Sequence, residues 1–347
     1  GKAIQKGPQN TLANGYTSLP IAITVEGANI LTRNLMIFGQ GAMRCHPYLK
    51  EMVDLIHSDD KAADAPFNKV LAKTVWFSVK NAFRSKINSY LPFMRQADSA
   101  LDEVKPYEKR LNAISAKLAP LADLSLLVLG GDLKKAELLS ARLGDVMSYS
   151  YAAMATIRFY EQRVTNREEA KPYFDYAMQW ALAQAEQAIV NFVNNFPNGP
   201  TRILMRTLTN TYTSSVSGIS DDLVRELSMA AMQDSSIKAE LTHLIKVKAG
   251  DGNDINEQAF IAKHAVMPIL NKVQKELRAH PVVPFISFEH AVNKMLEAEQ
   301  ITQDEHTALL RYNAKRKLAV RVDEFTFDLE LVDVDGKPIV AKQSDAA

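Results

Sequence analysis

Two stretches of helical period, joined by a short polar loop, constrain this fold more than any other feature of the chain. Leu139, Leu143, Val146, Ser150, Met154 and Ile157 recur at steps of four and three, and Phe174, Met178, Ala181, Ala185, Ala188 and Phe192 repeat that spacing. Such steps place side chains on one face of a helix. The loop between them, around Thr165 to Glu169, allows only an antiparallel return. The pair therefore predicts a helical hairpin inside a bundle. Pro197-Asn198-Gly199-Pro200 ends it.

The same period predicts helices over about 66–91, 107–129, 257–278, 288–299 and 302–320. Another follows Glu26-Gly27, with Leu31, Leu35, Phe38 and Ala42 on one face and Pro47 as its end. Gly130-Gly131 break the helix of 107–129, and Asp132 reads as the N-cap of what comes next. Signals weaken from 200 to 256, where Thr209–Ser220 reads as a loop or lid. Phe325 to Val332 alternates like a short extended tail, and the last ten residues are expected to be disordered. The expected fold is all-α, a helical bundle. A polar, alanine-rich linker from His57 to Pro66 divides it into residues 1–57 and 58–347.

Composition narrows the function by exclusion. A 47% hydrophobic content suits a packed globular chain, and a net charge of +1 argues against nucleic acid as a partner. The single cysteine, Cys45, forbids an internal disulfide and points to a reducing, cytoplasmic setting. No apolar run is expected to reach the roughly 20 residues needed to span a bilayer. The most apolar stretch, Leu121 to Gly131, is interrupted by Asp123.

Chemistry is concentrated in Val25-Glu26-Gly27-Ala28-Asn29-Ile30. A carboxylate at the mouth of a helix would be stabilised by the dipole. A glycine beside it would let a ligand approach the backbone. Alone, such a carboxylate is more often a surface residue. Arg33 is read evenly as a solvated side chain or a ligand contact. Cys45 and His46 lack further ligands for a metal, and the seven histidines are scattered, so none is assigned a role. Asp251 to Glu257 departs from a calcium loop and reads as a polar turn. Gly130-Gly131 reads as a helix break, not a phosphate loop, and Tyr149, Tyr151, Phe159 and Tyr160 as packing. Pro200–Leu208, with Arg202 and Arg206, suits membrane docking or packing, and packing is favoured because the segment is short. Lys315-Arg316-Lys317 with Arg311 and Arg321 reads as a solvated helix end.

From Ile21 to Pro47 the chain resembles the catalytic-glutamate segment of acyl-CoA dehydrogenases, in particular the long bacterial fatty-acid β-oxidation enzymes of the FadE type. Glu26, Gly27, Asn29 and Arg33 fall in register with that signature. Ala28 and Ile30 depart from it, where threonine and a polar residue are usual. Leu129–Lys134, Ser140–Asp145, Asn195-Phe196-Pro197 and Arg321–Phe325 are similar to the C-terminal region of the same type. The resemblance implies an end of the dehydrogenase core in 1–57 and an appended helical domain in 58–347. It implies acyl-CoA as substrate, FAD as cofactor and an electron-transfer flavoprotein as acceptor. Glu26 would take the α-proton, its backbone N–H would hold the thioester carbonyl, and Gly27 would lie against the substrate. Gly1, matching the second glycine of a Gly-Gly turn whose next glycine is replaced by Ala3, and Asn29 would lie at the flavin. A homo-oligomer and a peripheral membrane contact are further expectations. Most of the flavin site would lie upstream of Gly1, so the chain is expected to be a C-terminal portion, inactive alone. The alternatives are a purely structural or interaction domain and an acyl-CoA oxidase.

Overall fold

Apolar steps of three and four become helix along most of the chain. The computed structural model describes residues 9–32, 41–56, 64–212, 218–245, 247–279, 287–328 and 331–332. In chain order the helices are α1 (Thr11–Leu31), α2 (Gly41–Cys45), α3 (Leu49–Ile56), α4 (Asp64–Tyr90), α5 (Lys105–Leu129), α6 (Glu137–Gln162) and α7 (Arg167–Asn194). They continue as α8 (Gly199–Thr209), α9 (Asp221–Ala231), α10 (Ser236–Thr242), α11 (Gly252–Ala279), α12 (Phe288–Glu297) and α13 (Gln303–Val320). The extended tail is two short antiparallel strands, β1 (Glu324–Phe325) and β2 (Leu331–Val332). The class is all-α, as expected. The linker expected at 57/58 and the terminal ten residues lie outside the described residues.

The chain divides into two units, one of Thr24–Glu240 and one joining Gly1–Ile23 to Leu241–Ala347. In the first, α6 and α7 form the predicted hairpin. Val146, Ala153, Met178, Leu182, Ala185 and Phe192 are fully sealed from solvent along its seam. Small Ala153, Ala181 and Ala185 let the two backbones close up while Phe192 and Met178 fill the remaining space. Asn166 starts α7 by accepting the Glu169 N–H, with Glu168 and Glu169 in the positive first turn. Tyr160 stacks on Phe174 at 4.0 Å.

α5 packs against this hairpin and against α4. Arg110 grips Glu186 of α7 through Nε (2.8 Å) and Nη2 (2.6 Å), a two-pronged pair that fixes register across the interface. Within Lys105–Leu133 an 18-residue window has a mean hydropathy of 1.5, so by length and composition alone this helix is apolar enough to cross a membrane, more than expected from sequence. Ile114 and Leu121 are instead sealed in the bundle core, and Asp123 lies on the same helix.

Asp132 does not cap the following helix. Gly130, at φ +48°, turns the chain out of α5, a short 3-10 turn covers Gly130–Lys134, and α6 starts after Ala136 with no side-chain cap. The stretch expected to be weak in signal holds α8, α9 and α10. Asn198 caps α8 ahead of Pro200, and Ser220 caps α9 ahead of two aspartates.

In the second unit α11, α12 and α13 bury Val273, Val292 and Leu309 together. A reciprocal capping box of Thr302 and Glu305 opens α13. Asp251 accepts the N–H groups of Asn253 and Asp254 (both 2.9 Å) at the start of α11, so the polar turn is a helix start. Among the described residues no carboxylate, histidine or cysteine cluster could hold a metal ion. Gly252 meets the backbone of the opposite chain end closely: a Cβ there would lie 2.1 Å from the Gln9 carbonyl oxygen.

Candidate functional site

Pro47 cannot continue α2, and the chain turns there before α3 begins. His46 caps the new helix. Its Nδ1 accepts the N–H groups of Tyr48 (3.2 Å) and Leu49 (3.0 Å), so the proton of the neutral ring sits on Nε2. Burial lowers the pKa of His46, outweighing the opposing pull of the Asp123 charge, so the ring is neutral near pH 7. Phe77 of α4 closes on its edge at 5.1 Å.

His46 Nε2 lies 3.8 Å from Asp123 Oδ1 on α5, beyond hydrogen-bonding reach, with the two side chains only 9% and 13% exposed. Asp123 Oδ2 is buried and has no hydrogen-bond partner among the described residues. A buried carboxylate oxygen left this way is costly and marks a place where a donor would be welcome.

The pair faces a cavity of about 570 Å³ between α3, α4, α5 and α8. Leu71, Val75 and Val79 of α4, Leu124 and Leu127 of α5, and Leu204 and Leu208 of α8 make it apolar. Thr74 lines it too, but its hydroxyl is committed to the Val70 carbonyl at 2.9 Å. Size and lining suit an apolar chain carrying one polar group. They do not suit a flavin dinucleotide. Among the described residues the lining contains no glycine, lysine or arginine, and the carboxylate of Asp123 would repel a diphosphate.

The residues singled out from sequence are not among the described lining of this pocket. Glu26, Gly27 and Asn29 share one turn of α1, while Gly1 and Arg33 lie outside the described residues. Glu26 is not at a helix mouth. Asn10 starts α1 by accepting the N–H groups of Leu12 (2.8 Å) and Ala13 (3.0 Å), and the helix runs through Pro20 and Gly27. Glu26 thus lies toward the C-terminal end of α1.

His46 and Asp123 carried no assigned function in the sequence. Asp123 was visible as the charge interrupting an apolar run, and His46 as the residue before a helix-breaking proline. Their partnership depends on how α2, α3 and α5 pack, which no local pattern encodes.

No solved structure matches this chain. Residues 43–325 match the family described as acyl-CoA dehydrogenase, C-terminal, bacterial type. The matched span begins after the Glu26 segment and takes in His46, Asp123 and the whole pocket lining. With most of its length matched, the chain belongs to the acyl-CoA dehydrogenase family and carries its bacterial-type C-terminal domain.

Proposed function

We propose that this chain is the C-terminal portion of an FAD-dependent acyl-CoA dehydrogenase that converts acyl-CoA to trans-2-enoyl-CoA in fatty-acid β-oxidation, with Glu26 as the base for the α-proton. One observation carries the reading. The register of Glu26, Gly27, Asn29 and Arg33 stands directly ahead of a span that belongs to the family. A carboxylate suits the step because it accepts a proton without needing one removed first. Gly27 would add no side chain beside the acyl group. Residues 1–57 would end the catalytic core, and 58–347 would form the appended helical domain. Electrons would pass to an electron-transfer flavoprotein, and the assembly would be a cytoplasmic homo-oligomer. Flavin would be held mainly by segments other than those described, with Gly1 and Asn29 at its edge.

In an enzyme that contains the whole active site, Glu26→Gln should lower turnover by about 10²–10⁴-fold while acyl-CoA binding is kept. Turnover close to wild type would overturn the assignment. The isolated chain should contain no FAD and show no acyl-CoA turnover.

A second reading, a structural or interaction domain for oligomerisation or membrane docking of the dehydrogenase, is favoured by the apolar surface that α4 leaves uncovered. Truncation after residue 57 separates the two. A change in chain-length preference means that the domain shapes the acyl pocket, whereas a change in assembled mass alone means that it only holds subunits together.

A further inference from the structure

Helix α4 shows solvent two kinds of chemistry in parallel. Leu71, Val75, Val79 and Phe83 follow one another at steps of four and form a ridge whose members are 39% to 67% exposed. Trp76, 61% exposed, lies beside it. Along the flank of the ridge run Lys69, Lys73, Lys80 and Arg84, all exposed. Among the described residues none of these four cations makes an ion pair. Lys80 lies over the Trp76 ring at 5.6 Å, and Lys73 over Tyr48 at 5.9 Å. After Asp64 no acidic residue occurs until Asp98.

Helix α8 extends the face. Ser85 of α4 donates to the Leu208 carbonyl at 3.0 Å, which ties the two helices together. Ile203 and Leu204 are exposed on α8, and the stretch from Asn195 to Ser220 contains arginines but no acid. The segment thus both packs, through buried Met205, and presents apolar side chains to solvent. The chain as a whole carries only +1, so the positive charge here is segregated and not general.

We infer that the exposed α4–α8 face docks on an anionic phospholipid bilayer. An interfacial helix sinks an apolar stripe into the boundary between headgroups and acyl chains and sets cations against the phosphates beside it. Trp76 has the apolar body and N–H tip that favour this depth. The competing occupants fit less well. A second copy on a two-fold axis would bring the unpaired cations against their own images. Nucleic acid would satisfy the cations but leave the aliphatic ridge in water. Leu71, Val75 and Val79 also line the His46–Asp123 pocket, so the docking ridge is continuous with one wall of that cavity. The inference uses no residue of the Glu26 segment and stands or falls apart from the dehydrogenase assignment.

The test is flotation of the full chain with vesicles of phosphatidylcholine alone and with phosphatidylglycerol added. Trp76 emission is followed in a Trp180→Phe background. Partition should be at least about tenfold stronger on the anionic vesicles, with a blue shift of Trp76, since each cation near such a surface is worth about fivefold. Lys80→Glu with Arg84→Glu should abolish the anionic preference. Val79→Ser with Phe83→Ser should abolish binding at an unchanged melting temperature. Equal partition on both vesicles, or full binding by the Val79→Ser, Phe83→Ser variant, would overturn the inference. So would self-association without lipid that this variant removes while vesicles bind nothing, an outcome that would give the face to a second copy.

Discussion

Helices α4 and α7 are almost the same length, 27 and 28 residues, and both carry apolar residues at helical spacing, yet they meet opposite surroundings. α7 seals Met178, Leu182, Ala185 and Phe192 completely, while α4 leaves Val75, Trp76, Val79 and Phe83 more than half exposed. The difference lies in what stands between the large side chains. α7 interleaves alanines that allow α6 to close on it, whereas α4 interleaves lysines that keep water or another polar surface near. A helical stripe therefore states that a helix needs a cover. Whether the same chain supplies that cover depends on the small residues and charges around the stripe.

The largest effect that would sharpen this contrast is expected in α7. Phe192→Ala should cost about 3–5 kcal/mol, because a sealed aromatic leaves a cavity its neighbours cannot fill, and thermal or urea unfolding would read it. A loss under about 1 kcal/mol would mean that the hairpin seam is not the core it looks to be.

A smaller effect is expected at the α5–α7 contact above pH 10. Burial pushes the Tyr107 phenol from 10.0 up to about 12, helped by the Asp175 carboxylate to which it donates at 2.9 Å. A raised folded value means that the neutral phenol stabilises the fold. That contribution is complete below about pH 10 and is lost as pH rises through about 12. For a half-buried group, solvent screening reduces it to about 1 kcal/mol. Tyr107→Phe should remove this alkaline slope from a melting series between pH 9 and about 12. An unchanged slope would break the assignment.

The smallest effect belongs to α4. Val79→Ser should shift stability by no more than about 0.5 kcal/mol, because the side chain already stands in water. A loss of several kcal/mol would show that the ridge is covered within the chain, and the contrast with α7 would collapse.

Sequence and structure agree where periodicity is long. The α6–α7 hairpin, α5, α11 and α13 are readable from apolar steps, while the capping box that opens α13 is seen only in the structure. Helices α8 to α10 were passed over because 7 to 11 residues repeat the period too few times to stand out, although Asn198-Gly199-Pro200 and Ser220-Asp221-Asp222 announce two of their starts. At Glu26 the error was one of direction. Gly27 was read as the break before a helix, while Asn10 had already started one that runs through it. For the pocket, the walls from α4 and α5 are legible as apolar helical stretches, whereas those from α3 and α8 are too short to stand out. The meeting of His46 with Asp123 is not legible, since it is a property of packing between helices remote in sequence.

The close approach of Gly252 to the Gln9 carbonyl has a consequence for the order of synthesis. Residues 24–240 form a continuous unit whose contacts are all available once that stretch has been made. The other unit joins the first 23 residues to those from 241 onward. During translation the strip up to residue 23 meets its partners beyond residue 240 only after the intervening bundle has emerged. Closing that strip against the start of α11 is the long-range step, with the greatest loop entropy to overcome. The exposed Leu12, Tyr16 and Leu19 belong to that early-made strip.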